Sequence, residues 1–156
     1  MASELEVREA VRNSLVTDAT IQGLLLWTGN AGVYKVFGGD YVHEAVPRPF
    51  VMVSHFSGGQ DYRSLNPSAD MLFLVRVEVE VTDDPTVVAT ADTIAQAIHD
   101  ALHLQKPTLT AGLAASYHGN NFMREQFPFK DRYMRQNRHY LQRGGVYRII
   151  LDPIGS

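Results

Sequence analysis

The sequence predicts an α+β fold, a mainly antiparallel β-sheet with two α-helices packed on one face. Three observations carry this expectation. Met71, Phe73, Val75, Val77, Val79 and Val81 alternate with Leu72, Leu74, Arg76, Glu78 and Glu80. That is a period of two over a dozen residues, the pattern of a long strand at about Met71–Thr82. Directly after it, Val87, Ala91, Ile94, Ala95, Ile98 and Leu102 fall on one face at helical spacing. At the start of the chain, Ser3 and Glu6 have the spacing of a capping box ahead of Val7, Ala10, Val11, Ser14 and Leu15.

Each element follows from local chemistry. The capping box opens a first helix over about Glu4–Val16. Asp18 caps a second short turn, Ala19–Trp27, which Thr28-Gly29-Asn30-Ala31-Gly32 breaks. Val33–Phe37 is a short strand, and Gly38-Gly39-Asp40 turns the chain. Pro47 and Pro49 lead into a strand at Phe50–Phe56, and a long polar connection runs from Ser57 to Ser68. Asp84-Pro85 supplies an N-cap with proline at the first helical position, so the main helix runs about Pro85–Leu104, ends before Pro107 and packs on the valine face. Leu113–Tyr117 and Phe122–Gln126 are further strand segments. Lys130–Arg138 is basic and poorly periodic, which reads as a loop. Tyr140–Leu151 is a closing strand with a bulge at Gly144-Gly145. The resulting order is α-β-β-β-α-β-β, one domain over residues 1–156 with a long basic loop at about 124–143.

The composition is that of an ordinary globular protein: 156 residues, 45% hydrophobic and 20% charged. With no cysteine, disulfides and thiolate metal sites are excluded. No apolar run approaches the roughly 18 residues of a membrane span. The acidic start lacks the basic-then-apolar order of a signal peptide. The net charge of −3 is unevenly placed. Residues 1–123 hold seven Lys+Arg against fourteen Asp+Glu, whereas residues 124–156 hold seven against three. The basic tail therefore suits contact with another subunit or a polyanion, or forms a solvated charged loop.

Catalytic motifs are sparse. His99-Asp100-Ala101-Leu102-His103 approaches the zinc motif H-E-x-x-H, but Asp shortens the reach of the base and no third ligand is evident. The pair reads as two surface histidines near a helix C-terminus, which suit the helix dipole. The Gly-Gly pairs at 38, 58 and 144 do not continue into a phosphate-binding loop. Glu78 and Glu80 read as strand-face charge beside solvent. Arg132, Arg135, Arg138 and Arg143 with Tyr133 and Tyr140 are residue types that contact phosphates and stack on bases, yet the chain as a whole is acidic. A protein-docking role fits them better. The sequence calls for no cofactor, metal or catalytic residue. The apolar start of the second strand face, Leu72 and Leu74, needs a partner.

The order of segments then resembles a known family. A first helix, Asp18-Ala19 and Leu24-Leu25, Pro49-Phe50-Val51-Met52-Val53, Asp61-Tyr62, Val75–Val81 and the Ala91–Leu104 helix together resemble the tail terminator (tail completion) proteins of long-tailed bacteriophages. Gene-transfer particles carry similar proteins. The resemblance covers about residues 5–104. It implies a sheet with two helices on one face. It further implies a hexameric ring that caps the tail tube, stops its polymerisation and joins it to the head connector. No catalytic residues come with it. The implied partners are five further copies, the tail tube protein, the neck protein and DNA passing through the lumen. The implied place is the head-proximal end of a virion tail, after synthesis in the host cytoplasm. A neck (head–tail connector) protein of the same particle is the close alternative. The interface candidates are Tyr62, Arg63, Leu72, Leu74, Arg76, Arg132, Tyr133, Arg135, Arg138 and Arg143. The segment Gly119–Arg143 departs from the family by its length and its basic charge.

Overall fold

Helix α1 (Glu4–Val16) begins where its cap predicts, with the Glu6 amide donating to Ser3 Oγ at 3.2 Å. The structure, a computed structural model, describes residues 3–25, 35–39, 46–60 and 68–155. Val7, Ala10, Val11 and Leu15 form the buried stripe of α1. In α2 (Ala19–Leu25), Asp18 Oδ1 accepts from the Ile21 amide at 3.0 Å, and Ile21 and Leu25 turn inward.

The sheet is mixed and mostly antiparallel. Strand β1 (Val36–Gly38) runs parallel to β2 (Phe50–Gln60), and β2 runs antiparallel to β3 (Ala69–Val81). The third helix α3 (Val87–Leu102) follows, then a four-residue α4 (Ala111–Ala114), β4 (Tyr117–His118), β5 (Arg124–Arg135) and β6 (Arg138–Pro153). The order across the sheet is β1-β2-β3-β6, with β5 and β4 both pairing β6. One face is the core. Phe73, Val75, Val77 and Val79 of β3 and Leu141, Tyr147 and Ile149 of β6 cluster with Val7, Leu15, Ala91, Ile94 and Ile98 of the helices. The valine face therefore meets the helices, as the alternation requires.

Several expectations are corrected. Residues 124–143 are not a loop. They form two long strands joined at Gln136-Asn137, whose φ values of 53° and 63° are those of a two-residue hairpin turn. The pattern hides this because β5 lies at the sheet edge and is largely exposed on both faces. Strand β2 continues through Ser57–Gln60, where a loop was expected. A bulge between His55 and Ser57 lets it keep pairing with β3. Leu113–Tyr117 is the end of α4 and the start of β4, not a strand. Helix α3 starts two residues later than expected. Asp84 accepts from the Thr86 amide (2.9 Å) and from Thr86 Oγ1 (2.8 Å), forming a turn around Pro85 instead of a helix cap.

Gly144-Gly145 is not a bulge either, since the β3–β6 register is continuous from Ala69↔Leu151 to Val81↔His139. The glycines serve close approach: a Cβ on Gly144 would lie 1.9 Å from the Val75 carbonyl oxygen. The irregularity falls in β5, between Glu125 and Phe127.

Candidate functional site

The face of β3 turned away from the helices carries Leu72, Leu74, Arg76, Glu78 and Glu80. Register places Phe50, Met52 and Ser54 of β2, Tyr140, Gln142 and Val146 of β6, and Phe127, Phe129 and Tyr133 of β5 on the same side. No helix covers this face among the described residues. It divides into an apolar half and a polar half.

In the apolar half Leu72 and Leu74 are half-buried. Phe56 and Phe127 are 50% and 44% exposed, yet their rings meet edge to face with centroids 5.7 Å apart. They come from β2 and β5, with β3 and β6 between them. Phe56 sits in the β2 bulge and Phe127 next to the β5 bulge. Each bulge re-aims its phenylalanine over the row formed by Ser54, Leu74 and Val146. The result is an exposed aromatic pair on a face where Met52, Ser54, Arg76 and Val146 are buried, and such a pair suits an interaction surface.

The polar half is built around Glu78, only 2% exposed. Its reading as strand-face charge beside solvent is therefore wrong. Arg48 Nε donates to Glu78 Oε2 at 2.8 Å, Gln142 Nε2 donates to Oε1 at 2.9 Å, and the Tyr133 hydroxyl donates to Oε1 as well. The Arg48 guanidinium lies 4.1 Å from the Tyr140 ring centroid and 5.1 Å from that of Phe50. Burial works against the Arg48 charge, but the hydrogen bond and charge of Glu78 outweigh it, and its pKa is raised. The cluster ties the segment before β2, the centre of the sheet and the edge strand β5 together through one carboxylate.

Burial, then the adjoining carboxylate of Glu78, pushes the Tyr133 phenol up to about 12. Because the folded value is raised above the ordinary 10.0, the stability from this phenol is complete below that ordinary value. It is lost as pH climbs through the folded one. We expect Tyr133→Phe to remove one late-ionising tyrosine from an ultraviolet titration and to flatten the loss of stability over that window. If Tyr133 ionises together with the exposed tyrosines, this hydrogen bond is not formed in solution.

The interface candidates do not form one surface. Tyr133, Arg135 and Arg138 share the open face near the hairpin turn, whereas Arg132 and Arg143 lie on the helix side. Arg138 approaches Glu80 loosely at 3.7 Å. Arg143 is mostly covered and sits 3.4 Å from Asp92. Arg76 is 8% exposed and donates to Ser54 Oγ at 2.8 Å, so within the chain it acts as an internal strut. Tyr62 and Arg63 lie outside the described residues.

His99 and His103 are half-buried, with rings stacked 4.5 Å apart. His99 Nδ1 is 3.1 Å from Glu125 Oε2, and His103 Nδ1 accepts from the Glu125 amide at 3.1 Å. Both imidazoles thus pin the start of β5 to α3. No group of three potential metal ligands occurs among the described residues. Arg48, Glu78 and Gln142 are the site residues that sequence reasoning missed. No helix among the described residues is long and apolar enough to cross a membrane.

No protein-family model matches this chain, and no curated protein matches it. In structure it is similar to a chain of the virion of a native gene transfer agent (GTA) particle, with a TM-score of 0.65 and 18% identity. The likeness covers 97% of this chain and 98% of the other, so it holds for the whole fold.

Proposed function

We propose that this chain is a structural subunit of a phage-type virion, specifically a tail terminator. In this reading copies assemble into a hexameric ring that caps the tail tube, stops its polymerisation and presents the surface for the neck. The observation that carries it is the likeness, nearly end to end in both chains, to a chain of a gene transfer agent virion. The segment order of residues 5–104 points the same way. The exposed aromatic pair Phe56 and Phe127 suits a part that works by docking. The reading assigns no reaction to the chain; the histidine pair and the buried carboxylate act as tethers.

The test is electron microscopy of the purified protein together with its solution mass, with and without tail tube protein. The expected result is a six-fold ring that binds tube ends and halts their growth. A strict monomer that ignores tube ends would end the proposal. A ring found at the neck and not on the tube would move the assignment to a head–tail connector.

A further inference from the structure

Strand β5 pairs only with β6, so its outer edge is the long free edge of the sheet among the described residues. Its helix-side positions near the turn are Lys130, Arg132 and Met134. Lys130 and Arg132 are exposed and have no carboxylate partner among the described residues, and Met134 is 64% exposed beside them. A bare strand edge invites indiscriminate pairing, but Pro128, Lys130 and Arg132 are the residues that discourage it. Two copies of β5 placed edge to edge would also set like charges against each other. The strand is therefore built to meet something acidic through its side chains.

The complementary surface lies on the same chain. Asp18, Asp92 and Asp100 rim a groove between α2 and α3, with Leu24 and Ala97 lining it and Thr20, Thr93 and Gln96 beside them. No lysine or arginine lines it. Among the described residues, only Asp92 of these three has a cationic partner, Arg143. Helix α3 contacts α2 and also β5. Asp92 and Gln96 also line a second groove, bordered by Glu125, Pro128 and Lys130 of β5, so α3 stands between the acidic groove and the basic side of β5.

We propose that the Lys130–Arg132–Met134 side of β5 in one copy docks in the acidic α2–α3 groove of a second copy. The cations face Asp18 and Asp100, and the methionine enters the apolar floor. Because knob and groove are different surfaces, the contact is heterologous; repeated in one sense, it closes a ring or continues as a filament. The inference rests on the ring reading above and supplies the surfaces by which its copies meet.

The chain has no cysteine, so cross-linking starts from a silent background. A Met134→Cys/Gln96→Cys variant, treated with a short bis-maleimide, should give a covalent ladder that stops at the ring size, while each single variant stays monomeric on a denaturing gel. Arg132→Glu should weaken self-association at least about tenfold, since like charges in an interface are strongly disfavoured. Adding Asp100→Lys should restore it. Both positions are exposed, and a lysine near the end of α3 suits the helix dipole, so circular dichroism should show an unchanged fold. A ring by microscopy that gives no ladder and ignores the charge swap overturns this inference and leaves the ring reading standing. Binding of Arg132 to duplex DNA, lost in Arg132→Glu but indifferent to Asp100→Lys, overturns it in favour of a polyanion. A strict monomer under all conditions overturns both readings.

Discussion

Gly144→Ala is expected to cost about 3–5 kcal/mol of stability, enough to leave little folded protein. A Cβ at this position would stand 1.9 Å from the Val75 carbonyl oxygen and 2.7 Å from the Arg76 Cα, both backbone atoms. Neither can move without opening the β3–β6 ladder, whose unbroken register spans Ala69 to Val81. That ladder joins the two strands supplying most of the sheet's contribution to the core, so the strain falls where the fold is least able to relax. The neighbouring Gly145→Ala is the control. Its Cβ would meet Glu125 Oε1 at 2.2 Å, the far end of a side chain that can swing away. The loss there is the His99–Glu125 contact, about 1 kcal/mol or less. Urea denaturation of the two variants should separate them clearly. Equal and small losses would show that β3 and β6 do not approach as closely as this register requires.

The contrast between these adjacent glycines illustrates what a sequence displays and what it hides. Periodicity made β3 and α3 legible, because each is apolar on the side that meets the other. The caps at Ser3 and Asp18 marked α1 and α2, since capping is a local transaction among residues three apart. Strand β5 had no such signature. Its outer edge is wet, its faces are mostly exposed, and its turn, Gln136-Asn137, lacks the glycine that usually announces a tight hairpin. Pro128 inside a β-rich run was the available clue to an edge strand.

The apolar half of the open face was legible from Leu72 and Leu74, where the alternation of β3 fails to turn polar. Its aromatic cover was not. Phe56 and Phe127 are brought together by two bulges, and a bulge depends on the partner strand as well as its own. The polar half was invisible for a similar reason. Glu78 is joined to Arg48, Tyr133 and Gln142 across 30, 55 and 64 residues of chain, and no window of sequence spans those separations.

That assembly of distant residues makes Glu78→Ala the second large expected effect, a loss of about 3–4 kcal/mol. The substitution removes a carboxylate whose side chain is 3% exposed and leaves Arg48, 19% exposed, without its counter-charge. Tyr133 and Gln142 lose their common acceptor at the same time. The Tyr140 and Phe50 rings still flank the guanidinium, so part of its stabilisation survives. Glu78→Gln keeps an acceptor for Tyr133 and should cost less, about 1–2 kcal/mol. The double variant Glu78→Leu/Arg48→Met discriminates further. Removing both charges eliminates the orphan as well as the pair, and should recover most of the loss, leaving a coupling energy of about 2 kcal/mol in the cycle. Hydrogen exchange in Glu78→Ala should quicken first in β5 near Tyr133, because the carboxylate holds the edge strand down on the sheet. A loss confined to β5, with the α1–α3 core unchanged, would also lower self-association if that strand is the docking element, linking a buried charge to assembly. A cost below about 1 kcal/mol, with exchange in β5 unaltered, would mean that the hairpin is held by its ladder with β6 alone and that Glu78 is a tolerated burial.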